Sequence, residues 1–167
     1  LTAKIIGPRG AHSITILMVF CSFYASCALV DLSFFKNLPP IDFTLYSWLQ
    51  TGASSFQVGF LLDRLSIIMS FIVTFISLLV HIYSIGYMSG EAGYQRFFCY
   101  VSLFTFAMLA LVMANNLVQL FFGWEGVGVV SYLLIGFYFH KDSAAAGSLK
   151  AFLVNRIGDF GFILGLA

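Results

Sequence analysis

The only acidic residue in the apolar run "FFGWEGVGVVSYLLIGF" (residues 121–137) is Glu125, and Gly123, Gly126 and Gly128 surround it. A second run, "GSLKAFLVNRIGDFGFILGLA", places Phe152, Asn155, Arg156 and Asp159 at spacings of 3 and 4, on one helical face. Arg156 and Asp159 can pair within that helix, which lowers the cost of burying both. A third run carries Asp63, Ser66, Ser70, Thr74, Ser77, His81 and Ser84 at spacings of 3, 4, 4, 3, 4 and 3, a stripe along a whole helix. Carboxylates, a guanidinium and a histidine set in apolar helices suit proton or ion handling. A histidine can take up and release a proton near neutral pH.

Each of these groups has a structural reading beside the functional one. An intramembrane carboxylate is functional by default, and the alternative is a Glu that pairs with a cation to lock helices together. Arg156 and Asp159 could equally be a neutralised structural pair. The hydroxyl stripe could order a file of water, with His81, Thr74, Ser77 and Lys150 as a polar path. Small polar residues are common where helices pack, so cross-helix hydrogen bonding is the favoured reading there. Gly158, Gly161 and Gly165 fall opposite the charged face, and with Gly123, Gly126 and Gly128 they would admit a close neighbour.

The elements that must hold these residues follow from composition. The chain has 167 residues, 60% hydrophobic and 9% charged. An ordinary soluble domain is about one quarter charged. Fifteen ionised side chains cannot clothe a soluble fold of this size, so the chain is read as an integral membrane protein. A net charge of +1 with no basic patch argues against nucleic acid. Cys21, Cys27 and Cys99 sit in apolar runs without disulfide or metal-pair spacing, and are expected to be small buried hydrophobes. His12, His81 and His140 lie on separate segments, and no phosphate-binding loop or HExxH motif occurs. Neither a metal centre nor a hydrolytic site is expected.

The fold class expected is an all-α polytopic helix bundle with a short extramembrane β-hairpin. About five runs approach the roughly 20 apolar residues needed to cross a bilayer. They are residues 13–32, 62–87, 97–114, 117–139 and 149–167, all parts of one transmembrane domain. The segment 33–60 differs in kind. Pro39-Pro40 ends the element before it, then "IDFTLYSWL" and "SFQVGF" alternate as strands do around a "TGAS" turn. Lys4, Arg9, Arg96, Lys141 and Lys150 gather on one side, against Lys36 and Arg64 on the other. The positive-inside rule then turns the hairpin outward. The absence of an initiator Met and the apolar final run suggest a piece of a longer polypeptide.

The stretches "LLDRLS", "YQRFFCYVSLFTFAMLALVMANN", "LFFGWEGVGVVSYLLIGFYF" and "KAFLVNRIGDFGFILG" together resemble the antiporter-like membrane-arm subunit of respiratory complex I. That family comprises subunit L of bacterial NADH:quinone oxidoreductase and its mitochondrial counterpart, chain 5. The resemblance runs from about Gly59 to the end. It implies a larger bundle in which Glu125 matches a glutamate of a charged axis at the membrane midplane, next to a lysine on a broken helix. Arg156 and Asp159 match a pair assigned to coupling with the next subunit. The partner lysines and broken helices would lie after Ala167. The implied activity is proton translocation driven by electron transfer from NADH to quinone. No redox cofactor is expected in this chain; NADH, flavin, iron–sulfur clusters and quinone would belong to other subunits. The implied partners are other membrane-arm subunits, especially a neighbouring antiporter-like one, and the lipid bilayer. The implied location is a bacterial cytoplasmic or mitochondrial inner membrane. A stand-alone cation/proton antiporter, and a role that only locks helices, are the competing readings.

Overall fold

In the computed structural model of the chain, a two-stranded hairpin interrupts five helices. Residues 3–51 and 54–166 are described, with side chains described at residues 7, 10–47 and 57–165. Gly52 and Ala53 of the expected turn lie outside the described residues, and the Lys4 and Arg9 side chains lie outside the described side chains.

Helix α1 spans Ala3–Val30 with a break at Gly7, whose φ of 67° only glycine adopts easily. Its hydroxyls turn back onto the helix: Thr15 donates to the Ala11 carbonyl at 3.0 Å and Ser26 to that of Ser22 at 2.9 Å. In an apolar medium this is how a hydroxyl stays satisfied without water. The helix widens into a π turn at Asp31–Phe35, and the chain reverses at Asn37, which takes a positive φ of 50°. Strands β1 (Ile41–Thr51) and β2 (Ser54–Leu62) form the antiparallel hairpin that the alternation predicts.

Asp63 then caps α2 (Arg64–Tyr87), accepting the Ser66 amide at 2.7 Å. This hydrogen bond holds the Asp63 carboxyl below its ordinary range. Gly90 and Gly93, at φ of 84° and 95°, make the turn into α3 (Tyr94–Val112). Asn116 caps α4 (Leu117–Ile135), which tightens into a 3₁₀ turn over Gly136–Tyr138 before α5 (Asp142–Leu166).

Four segments are long and apolar enough to cross a membrane: Gly10–Phe35, Arg64–Tyr87, Tyr94–Val112 and Leu117–Tyr138. The expected fifth, 149–167, is a helix but does not qualify among the described residues. Lys150, Arg156 and Asp159 fall within it and dilute its apolar character. The cysteine expectation is corrected too. Cys21 and Cys99 are exposed and Cys27 is half-buried, because they lie on apolar helix faces that the described residues leave largely uncovered.

The chain divides into two units. One contains residues 1–40 and 62–105. There Phe23 of α1 lies 5.6 Å from the Phe71 ring and 5.7 Å from that of Phe75 on α2, and Ile67, Leu78, Phe98 and Val101 are buried. The α2 stripe is buried from Ser66 to Ser84. It bonds across helices, Thr74 donating to Ser26 at 3.2 Å and Ser77 lying 2.6 Å from Thr105. Hydroxyls of the stripe thus bond across helices at these positions.

The other unit contains residues 41–61 and 106–167. Its hairpin is fastened to the turn between α3 and α4. Gln119 accepts the Gly59 amide at 2.9 Å and donates to the Gly59 carbonyl at 2.8 Å. Asn115 donates to Asp42 at 3.1 Å, and Asn116 donates to the Gln57 carbonyl at 2.8 Å. The Leu61 amide donates to the Met113 carbonyl at 2.9 Å.

Candidate functional site: an arginine between two carboxylates

Helices α4 and α5 run antiparallel against each other, and a ladder of contacts sets their register. Phe121 stacks on Phe162 at 5.5 Å, Gly128 faces Asn155, Tyr132 meets Phe152 edge-on at 5.6 Å, and Gly136 faces Ser148. Each step forward along α4 meets a step back along α5. Trp124 and Glu125 therefore stand opposite Asp159 and Arg156.

The side chains meet across that register. Arg156 Nη1 donates to Glu125 Oε1 at 2.5 Å and lies 3.8 Å from Asp159 Oδ2. The Trp124 indole N–H donates to Asp159 Oδ1 at 2.8 Å. Asp159 is 4% exposed, whereas the Arg156 side chain keeps 48% of its surface open. The guanidinium also sits 5.0 Å over the Phe152 ring, which favours a cation. Two negative charges thus share one positive charge. Arg156 can lean toward either carboxylate, and a proton or second cation would balance the other. This is an arrangement able to hold and release a positive charge.

The glycines around Glu125 do different work from one another. A Cβ on Gly123 would meet the Leu111 backbone at 2.6 Å, so this glycine seats α4 against α3. Gly126 faces Ala107 of the same helix, at 3.2 Å from such a Cβ, and Gly128 faces Asn155 of α5. The three glycines thus admit close neighbours: two fit α3, and the third fits α5. Around Gly158, Gly161 and Gly165 there is open space. Lys150 is exposed, and among the described residues it pairs with neither Glu125 nor Asp159. His81, Thr74 and Ser77 belong to the other unit's hydroxyl stripe.

Trp124 escaped the sequence reading. The signal was present, since an indole N–H in an apolar run must find an acceptor. Ser26, Ser102, Thr105 and Gln119 were also missed, because their partners lie 21 to 60 residues away.

Two family models match. Residues 48–98 match "NADH-Ubiquinone oxidoreductase (complex I), chain 5 N-terminus", and residues 114–167 match "NADH:quinone oxidoreductase/Mrp antiporter, TM". NADH-quinone oxidoreductase subunit L of Neisseria meningitidis is 55% identical over 96% of this chain and 24% of its own length. The subunit L of Rhodobacter capsulatus is 49% identical over 98% of the chain and 24% of its own length. NADH-ubiquinone oxidoreductase chain 5 of Allomyces macrogynus is 47% identical over 96% of the chain and 25% of its own length. The likeness thus reaches well ahead of the motif-bearing stretch that begins near Gly59. The chain spans about a quarter of the length of these curated relatives. With four membrane-capable helices and matches along nearly its whole length, this integral membrane chain belongs to the family of NADH-quinone oxidoreductase subunit L and complex I chain 5.

Proposed function

We propose that this chain takes part in proton translocation by an NADH:quinone oxidoreductase, as a non-redox portion of the membrane arm. The observation that carries this reading is the Glu125–Arg156–Asp159 cluster, held between two facing helices and steadied by Trp124. Charged groups in apolar helices are costly, and they persist where ions are handled. If the Arg156 contact to Glu125 loosens and tightens, the carboxylate's proton affinity swings with it. Coupled to water access from alternate sides, that swing moves a proton. The lysine that the family resemblance places beside Glu125 would compete with Arg156 for it.

On this reading electron transfer, with NADH, flavin, iron–sulfur clusters and quinone, belongs to other subunits. The chain's partners are other membrane-arm subunits, including a neighbouring antiporter-like one. The membrane is the bacterial cytoplasmic or mitochondrial inner membrane, and the hairpin faces outward by the positive-inside rule.

The test is proton pumping per NADH oxidised in sealed vesicles holding the full complex with Glu125→Gln. Assembly and quinone reduction are followed alongside. Pumping should fall while the complex assembles and reduces quinone. Normal assembly with a normal pumping ratio would make the charge structural and sink the proposal. A second reading, direct sodium/proton exchange, draws on the Mrp antiporter in the second family model's description. Exchange without NADH or quinone would favour it.

A further inference from the structure

Within the unit of residues 1–40 and 62–105, Tyr94, Phe98, Ser102 and Thr105 follow one another along α3 at spacings of 4, 4 and 3, on one face. At one end, Tyr94 Oη lies 2.9 Å from Nδ1 of His12 on α1. At the other, Ser102 Oγ lies 3.1 Å from Nε2 of His81 on α2, and Thr105 Oγ1 lies 2.6 Å from Ser77 Oγ. Phe98 stands between them, 1% exposed. Its ring centroid is 4.9 Å from that of Tyr94, 6.2 Å from that of His12 and 6.0 Å from that of His81. Two polar clusters, each built around a histidine, are thus separated along α3 by one buried aromatic ring.

His81 is fully buried. Its Nδ1 lies 2.8 Å from the Ser77 carbonyl oxygen, which can only accept. That contact assigns the ring hydrogen of the neutral imidazole to Nδ1 and leaves Nε2 to accept from the Ser102 hydroxyl. The ring therefore has one nitrogen able to take a proton and, on its other side, an N–H beside the Ser77–Thr105 hydroxyl pair. Packing alone does not call for a titratable ring here, since Thr74 and Ser26 join α2 to α1 with hydroxyls. Farther along the same stripe, the buried Ser70 Oγ has no hydrogen-bond partner, the kind of group that an internal water occupies.

We propose that this unit holds a second proton-handling site, a relay from His12 to His81 gated by the Phe98 ring. The proposal rests on the chain working in a proton-translocating membrane, but it uses none of the residues around Glu125. A proton captured by neutral His12 makes an imidazolium. With Phe98 turned aside, water carries that proton to Nε2 of His81 and leaves His12 neutral. The His81 imidazolium then passes its Nδ1 proton through the Ser77 and Thr105 hydroxyls, each taking one proton and giving up its own, to a water beyond them, so one proton enters and one leaves. Return of the ring hydrogen from Nε2 to Nδ1 resets the site. The described titratable groups whose rings pack with His81 around Phe98 are His12 from α1 and Tyr94 from α3, each against the Phe98 ring.

The test is the decay of an imposed pH gradient, without NADH, in sealed vesicles holding the full complex. Phe98→Ala removes the gate and should speed the decay severalfold. Phe98→Ala combined with His81→Gln, which keeps an amide near Ser102 but cannot relay, should return the decay to the wild-type rate. A Phe98→Ala complex as tight as wild type overturns the relay, and so does a double variant that leaks like the single one. Should these variants fail to assemble, histidine C2-hydrogen exchange in the wild-type complex decides. Exchange at His81 within about tenfold of that at His12 supports the relay, and slower exchange overturns it. Pumping per NADH in the Glu125→Gln complex reads the pumping role, and gradient decay without NADH in the Phe98→Ala complex reads the relay, so failure of one is separable from failure of the other.

Discussion

Arg156 reaches from α5 to Glu125 on α4, Nη1 to Oε1 at 2.5 Å, while staying 3.8 Å from the Asp159 that precedes Phe160 on its own helix. The planar guanidinium can address two carboxylates from one position, which an ammonium cannot do as well. Arg156→Gln should therefore strand both acids and abolish most of the pumping per NADH that depends on this cluster. Arg156→Lys should restore part of it. Pumping ratios in vesicles, with assembly checked on native gels, decide this. Equal losses for Gln and Lys would mean that fork geometry, more than charge, is what the site requires.

Trp124 tethers the acid that Arg156 touches less closely. Trp124→Phe keeps a ring in place but removes the donor to Asp159 Oδ1. Losing a hydrogen bond to a buried charged group costs about 1.5–3 kcal/mol. The variant should assemble, dissociate at a lower temperature and pump less per NADH. A wild-type pumping ratio would show that Asp159 is held well enough by Arg156 alone.

Gly123 and Gly158 make a contrasting pair on neighbouring helices. A methyl on Gly123 would press on the Leu111 backbone at 2.6 Å, where nothing flexible can yield, whereas Gly158 looks onto open space. Overpacking of this kind costs about 1–3 kcal/mol. Gly123→Ala should lower the thermal stability of the subunit and its yield in the complex. Gly158→Ala should be tolerated within this chain, so a severe assembly defect there would reveal a neighbour packed on α5.

Local spacing explains what was legible in the sequence. The Arg156–Asp159 pair, the stripe from Ser66 to Ser84 and the alternating strands all lie within a few residues, where helix and strand periods apply directly. The partner of Glu125 did not follow from spacing, because Arg156 lies 31 residues on and meets it only through the α4–α5 register. The glycines beside Glu125 illustrate the same limit. Their smallness was legible, but not that Gly123 and Gly126 serve α3 while Gly128 serves α5. Composition pointed to five spans where four helices qualify, because the same charges that make α5 chemically interesting keep it from qualifying among the described residues.

The Asp63 cap lies outside the spans, so its titration can be followed from the aqueous side. Its carboxylate accepts the Ser66 amide at 2.7 Å, and this bond lowers its pKa from the ordinary value. A lowered folded-state pKa means that the cap's contribution is fully present above the unfolded-state value. It is lost as pH falls through the folded one. Asp63→Ala should cost about 1 kcal/mol at neutral pH, the usual worth of such a cap. Asp63→Asn, which keeps an acceptor oxygen, should cost less and remove the acid dependence. Amide exchange at the start of α2, compared between neutral pH and a pH below the ordinary Asp value of 3.8, measures both effects. Equal acid sensitivity in the wild type and Asp63→Asn would assign it to another group.

The hairpin's attachment makes the last prediction the most local. Gln119 holds Gly59 by both its amide and its carbonyl, at 2.9 and 2.8 Å, so a single side chain acts as an extra strand partner for β2. A two-stranded hairpin is marginal on its own in water. Gln119→Leu keeps the helix and removes both bonds, and Asn116 and Asn115 would be left as the remaining side-chain ties, to Gln57 and Asp42. The Gly59 amide should then lose protection by about tenfold or more, since a typical hydrogen bond contributes about 0.5–1.5 kcal/mol and two are removed. The Leu61 amide, bonded to the Met113 carbonyl at 2.9 Å, should follow to a smaller degree. Hydrogen–deuterium exchange of the membrane-embedded complex reads both. Unchanged protection at Gly59 would mean that the backbone bond at Leu61 and the two asparagines suffice to seat the strand.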